Sequence, residues 1–409
     1  MGELGIRKIL LPKEGNDPFE TGKFEQFKNK INQAVFYMPF LVLLFLSVSI
    51  TFFLNSWLNF FVLYASMILT FAVVLFGRNR WKFWLVMILT LVYRVIPLFN
   101  VSVLLSTDIL QYGYFGTKIL KGLMPYRSFD APYPPLSLYV TVPFVMLGDL
   151  RFLKALFSFC DVLIVFIVYN VFLRNKENAN TISILFLLFP VSLVEYSISG
   201  HNDSLTLLLS IASLALLDKN VVGSSVLMAL SILCKLFPIV LIPFVLKQLF
   251  SKNKKSAFFY ALTLISVLGF ISLPFVLLSW EGYINMIIGL TRYSVPYGVS
   301  VSVFLFLLGD LGQQSIMFSY MFATLLVAVF CALVFFISCS HDWPLTKSCS
   351  VCLLVLPFLL PQFQPWYLLW AFPFVMISGS SNLKLTKLYL VLFLFFHVLC
   401  YLLFSFSNL

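Results

Sequence analysis

Apolar runs long enough to cross a bilayer's roughly 30 Å of hydrocarbon recur from residue 35 almost to the C-terminus, and they decide what this chain can become. Backbone polar groups in lipid must be satisfied within the segment, so such runs fold as helices. They fall at 35–54, 58–76, 83–104, 136–148, 151–173, 180–198, 204–217, 223–247, 257–279, 316–339, 349–360, 365–379 and 385–406. Only 11% of the residues are charged and 61% are hydrophobic, which excludes an ordinary soluble domain. The expected fold is an all-α polytopic membrane protein, a bundle of roughly 11–13 transmembrane helices. One membrane domain, 35–409, follows a basic segment, 1–34.

The net charge of +11 does not form a nucleic-acid face, because the lysines and arginines sit in short loops and near the N-terminus. Arg7, Lys8, Lys13, Lys23, Lys28 and Lys30 precede the first apolar run, so the positive-inside rule predicts a cytoplasmic N-terminus without a signal peptide. The basic stretches "GRNRWK" (77–82), "RNKEN" (174–178), "KQLFSKNKK" (247–255) and "SSNLKLTK" (380–387) are expected on that same side. The outer side then receives the loop 105–135, "SGHNDS" (199–204), the segment 280–298 and "PQFQPWY" (361–367). Two places resist this scheme: between 136 and 173 an odd number of crossings is needed although two apolar runs are visible, and 223–247 must return to its starting side. Broken or re-entrant helices at Pro143, Pro238 and Pro243 resolve both. The seven cysteines read as small packing residues, and neither a metal nor another cofactor is expected.

The loop "TDILQYGYFGTKILKGLMPYRSFDAPYPPL" (107–136) is the polar exception. Ile109, Tyr112, Phe115, Ile119, Leu120 and Leu123 recur at helical spacing with Lys118 and Lys121 between them, which predicts an amphipathic helix lying flat at the water–lipid boundary. Asp108 at its start reads first as an N-cap, with a catalytic carboxylate as the second reading. The prolines of "DAPYPPL" force extended backbone that turns Asp130 and Tyr133 back toward the membrane edge.

The order Thr107-Asp108, Tyr112, Gly116, Gly122, Pro125-Tyr126, Asp130 and Tyr133-Pro134-Pro135 resembles the first outer loop of the GT-C glycosyltransferases. The likeness is greatest to polyprenyl-phosphate-mannose-dependent mannosyltransferases, among them the GPI mannosyltransferase I catalytic subunit and bacterial phosphatidylinositol-mannoside enzymes. It extends to "GHNDS" (200–204), "KLFP" (235–238) and "PQFQPWYLLWAFP" (361–373). The resemblance implies a hexosyltransferase, with mannose the preferred sugar. It implies transfer from a polyprenyl (dolichyl) phosphate to a hydroxyl of a lipid or glycan acceptor on the outer or lumenal face, with Asp108 as general base. Relatives often carry a second acid where this chain has Leu110, which argues against a paired-acid metal site. The partners implied are the donor, the acceptor, membrane lipids and an accessory membrane subunit, and no nucleic acid. The location implied is the endoplasmic reticulum in a eukaryote or the plasma membrane in a prokaryote.

Around Asp108, expected substrate contacts are Tyr112, Tyr126, Asp130, Tyr133, His201, Asn202, Asp203, Lys235, Arg292, Gln362, Gln364, Trp366 and Tyr367. Each also has an ordinary reading: Asp203 or Ser204 as helix cap, Lys235 as a snorkelling lysine, Arg292 as an interfacial anchor, and the aromatics as a belt, the reading preferred for Trp370. Glu195 lies two turns deeper than Asn202, where an ionisable group needs a partner, and Arg94 with Asp161 reads as a structural ion pair. A transporter, a flippase of lipid-linked sugars or a noncatalytic partner subunit would share many of these features, although no repeated halves are visible.

Overall fold

The computed structural model describes residues 57–76, 83–95, 108–287, 313–360 and 363–407. The basic N-terminal segment, the expected span 35–54, Arg292 and Gln362 lie outside the described residues. Among the described residues the chain is helical, with one isolated bridge between Pro125 and Phe129. Expected spans emerge as helices Trp57–Phe76, Phe83–Val95, Arg151–Phe172, Ala179–Ser199, Lys254–Leu278, Gln313–Ser340, Leu345–Leu359 and Leu383–Ser407. Among the described residues, Arg151–Phe172, Ala179–Ser199, Lys254–Leu278 and Tyr320–Ser340 are long and apolar enough to cross a membrane. The protein is an all-α polytopic membrane protein.

Burial sorts these helices into a centre and a rim. The apolar window of Ala179–Ser199 is 94% buried in protein, whereas that of Lys254–Leu278 is 11% buried. The first can therefore carry Ser192 and Glu195, because Arg94 and His397 of neighbouring helices satisfy them. The second turns Ile265, Phe270 and Leu277 outward, as a lipid-facing helix must. Helices Asp203–Leu216 and Val221–Cys234 pack closely through small hydroxyls: Ser210 and Ser231 lie 2.8 Å apart, and Ser213 donates to the Ser224 carbonyl at 2.7 Å.

Prolines break three of the expected spans. Pro238 lacks the amide that would continue the ladder and its ring crowds the carbonyl four residues back, so helix Val221–Cys234 stops there. Lys235 is left extended, at φ −156° and ψ 142°, before a short 3₁₀ turn Phe237–Leu241 and helix Ile242–Lys252. Residues 365–379 are likewise not one span: a 3₁₀ segment Pro365–Trp370 gives way to a helix Phe372–Ser378 begun by Pro373. Pro190 interrupts Ala179–Ser199, and Arg94 takes the Leu187 carbonyl beside that break at 3.3 Å. Residues 136–148 yield the 12-residue helix Pro135–Met146, about 18 Å long and too short to cross.

The loop helix Asp108–Leu120 departs from expectation in what covers its apolar face. Ile109, Tyr112, Phe115 and Gly116 are buried against protein, while Leu120 is exposed. Gly116 allows this docking, since a Cβ there would strike Thr141 and Val145 of helix Pro135–Met146. The face predicted to lie on lipid is packed on the bundle instead.

Candidate active site

The predicted outer segments converge. Asp108 opens the loop helix, and its Oδ2 lies 3.1 Å from Nδ1 of His201. The ring of His201 stacks on Trp366 at 4.2 Å between centroids, which brings the third segment to the same place. The fourth, Trp280–Ile287, docks on the Pro-rich return: Tyr126 meets Tyr283 at 5.3 Å, and it also meets Phe275 of helix Lys254–Leu278 at 5.4 Å. Two of the basic segments, 174–178 and 380–387, meet elsewhere, where Asn178 donates to the Ser380 carbonyl at 3.4 Å, and Lys387 reaches the Leu75 carbonyl at the end of helix Trp57–Phe76.

Local geometry around His201 follows from one glycine. The helix Ala179–Ser199 ends in a π-turn over Leu193–Ser199, and Gly200 adopts a left-handed conformation at φ 80°. The amides of Gly200 and His201 both reach the Glu195 carbonyl, folding the chain back on itself. The imidazole of His201 is thereby placed between two carboxylates, Asp108 at Nδ1 and Glu195 at Nε2, the latter also at 3.1 Å. Burial lowers the affinity of His201 for its proton, but the hydrogen bonds and charges of Asp108 and Glu195 outweigh burial and raise its pKa to about 9. Asp108 is 26% exposed and His201 1%, so the carboxylate is the member of the pair that meets solvent.

Next to His201, Asn202 donates to Ser137 at 2.6 Å. Asp203 does not cap its helix. It is buried, 2.7 Å from Lys235 Nζ, and accepts a hydrogen bond from the Trp370 indole. Ser204 likewise turns from capping to donate to the Phe157 carbonyl. Lys235 therefore does not snorkel; its ammonium also lies over the rings of Tyr367 and Trp370 at 5.3 and 5.6 Å. Trp370 is no membrane belt residue, since it is buried between Phe237 at 4.3 Å and Tyr367 at 4.2 Å. A cavity of about 280 Å³ lies against this cluster. Lys235 is the charged residue in its lining, beside Pro132 and Pro134 of the loop and apolar Leu236, Met286 and Leu356. Neither Asp108 nor His201 lines it, and the Asp203–Lys235 pair connects the two places.

Among the remaining expected contacts, Tyr112, Tyr126 and Tyr133 are buried. Tyr112 packs edge-on against Tyr133 and Phe157, and the Tyr126 hydroxyl donates to the Tyr133 carbonyl at 2.6 Å. Asp130 is exposed and Gln364 half-buried. Tyr126 holds a positive φ of 65°, and Gly282 passes so near that a Cβ would overlap the Tyr126 carbonyl. Gly282→Ala should loosen the return, and limited trypsin digestion is expected to cut faster at exposed Arg127. Unchanged cleavage would show that this dock does not hold the loop.

His397 is the residue that sequence reasoning missed. It sits in the last apolar run, completely buried, with Nε2 2.7 Å from Glu195 Oε1 and Nδ1 2.7 Å from the Tyr64 hydroxyl. A lone histidine inside "LFLFFHVLC" was the available signal, because an ionisable group at membrane depth needs a reason.

Comparison with known proteins adds the following. The model of Glycosyltransferase family 87 matches residues 132–361. A curated relative, GPI mannosyltransferase 1 of Dictyostelium discoideum, is 29% identical over a region covering 43% of this chain and 46% of that protein. The chain thus spans less than half the length of that relative. No solved structure matches the chain.

Proposed function

The chain belongs to glycosyltransferase family 87, and from that premise we propose that it transfers a hexose, with mannose first, from a polyprenyl phosphate to an acceptor hydroxyl at the site around Asp108. The observation that carries this reading is the part-exposed Asp108 carboxylate fixed by His201 where the outer segments meet. The family membership supports the reaction class, and the similarity to GPI mannosyltransferase 1 supports the sugar.

Transfer from such a donor is a displacement. The acceptor oxygen attacks the anomeric carbon, its proton goes to Asp108, and the bond to the lipid phosphate breaks with the electron pair leaving on phosphate. A fixed cation must meet that charge, and Lys235 suits the task. It stands between a buried carboxylate and a mainly apolar cavity, a setting that favours a phosphate head with a greasy tail. Single displacement inverts the sugar, so a β-linked donor would give an α-linked product. Asp108 and the predicted outer segments are assigned to the outer or lumenal face.

Purified protein assayed against polyprenyl-phosphate mannose, glucose, galactose and arabinose, with product linkage determined, tests the reading. Transfer from the mannose donor is expected, and no transfer from any of the four would overturn it. Lys235→Gln keeps a hydrogen-bond donor for Asp203 and removes the charge; the donor KM should rise about tenfold with the acceptor KM little changed.

A further inference from the structure

Five side chains run inward from the site in one line. Asp108 Oδ2 meets His201 Nδ1, His201 Nε2 meets Glu195 Oε2, Glu195 Oε1 meets His397 Nε2, and His397 Nδ1 meets the Tyr64 hydroxyl. The spacings are 3.1, 3.1, 2.7 and 2.7 Å in that order. The line joins the loop helix, the central helix, the last helix Leu383–Ser407 and helix Trp57–Phe76. Glu195 and His397 have no exposed surface, so neither touches a substrate.

Hydrogen-bond chemistry fixes much of the proton arrangement. An ionised carboxylate only accepts, so an imidazole wedged between two carboxylates serves both only when both ring nitrogens carry hydrogen. His201 lies between two such groups, hydrogen-bonded to Asp108 at Nδ1 and facing Glu195 Oε2 across an ion-pair distance of 3.1 Å at Nε2, which favours the doubly protonated ring. By the same rule His397 directs Nε2–H at Glu195, which holds the glutamate in one rotamer from its far side. Other charged groups near His201 are already engaged: Lys154 donates to the Ile198 carbonyl at 2.6 Å, and Asp203 is paired with Lys235. Trp366 contributes a ring face.

Tying helices together does not require this chemistry. Serine hydroxyls do that elsewhere in the bundle, whereas a buried glutamate with two buried histidines is costly to keep. The line begins at the carboxylate assigned as base. We infer that Glu195 and His397 are positioning residues for transfer: they keep His201 doubly protonated and oriented, and His201 in turn fixes the Asp108 carboxylate toward the acceptor. This rests on the reading of Asp108 as general base.

The consequence is a pH limit on turnover set by His201. Loss of its proton frees the Asp108 carboxylate to rotate, so kcat should fall on the alkaline side, near the pH of about 9 at which His201 titrates. Glu195→Gln removes one of the two carboxylates that hold the proton. Its alkaline limb should move down by roughly one pH unit or more, and kcat at neutral pH should fall about tenfold with the donor KM within about threefold. His397→Gln retains an N–H for Glu195 and should keep most of the turnover, whereas His397→Leu should lose it. Tyr64→Phe, which removes a single hydroxyl from the far end, should lower kcat by only a few-fold.

Each variant is purified in detergent, checked for a monodisperse fold, and assayed per folded molecule from pH 6 to 10. Should Glu195→Gln fold poorly, the contrast between His397→Gln and His397→Leu and the Tyr64→Phe profile carry the test. Lower stability with an unmoved pH profile and an unchanged kcat would make the line purely structural and overturn the inference. Asp108→Asn is run in parallel: if it abolishes transfer while Glu195→Gln behaves as wild type, this inference fails and the site reading stands. If Asp108→Asn transfers normally, both fall.

Discussion

Asp108→Asn should lower kcat for sugar transfer by about a thousandfold and leave the protein folded, because asparagine caps a helix as well as aspartate does but cannot take a proton at neutral pH. That pair of properties separates the two roles the sequence leaves open for residue 108. An N-cap alone predicts nearly full activity in the asparagine variant. A general base predicts its loss with donor binding retained, since the carboxylate acts on the acceptor hydroxyl and not on the lipid. Steady-state transfer and equilibrium binding of the donor, measured on the same preparation, decide between them. Full turnover in Asp108→Asn would remove Asp108 from the chemistry.

The second large effect concerns stability. Arg94 and Asp161 form an ion pair at 2.6 Å with each side chain 1% exposed, the structural pair expected from the sequence, and Arg94 also reaches Ser192 at 3.2 Å. Removing one partner strands a charge in a medium that cannot solvate it, so Arg94→Met or Asp161→Leu alone should destabilise the fold by about 3–5 kcal/mol. Replacing both strands nothing, and the double variant should recover most of that loss. Thermal unfolding in detergent of the two single variants and the double variant measures the cycle. Additive losses in the double variant would show that the pair does not act as a unit.

The loops were legible in the sequence to different degrees. Asp108, the His201 turn and the aromatic segment near Trp366 stood out because each is polar or proline-rich between apolar runs, and the positions of the basic residues led to the expectation of one shared side. Their mutual approach follows from contacts such as that of His201 on Trp366. The break at Lys235 could be anticipated, since a proline three residues on must end a helix. Its partner could not: Asp203 looks like a cap in the sequence, and the Lys235 pair exists only because helices Asp203–Leu216 and Val221–Cys234 lie side by side. Trp370 was misread for a related reason. A tryptophan beside a loop resembles a belt residue until Phe237 and Tyr367 are seen to enclose it. The loop helix was placed on lipid because amphipathicity shows that a face must be covered and does not show by what.

By itself the sequence determined that this chain is a helical membrane protein and where polar loops interrupt its apolar runs, because hydropathy and helix-breaking residues act over short distances along the backbone. Tertiary structure alone decided that Glu195 binds two histidines, one six residues away and one 202 residues away. Ionisable groups buried at membrane depth take their state from whichever partners the folded bundle brings within about 3 Å, and that proximity has no counterpart in the order of residues.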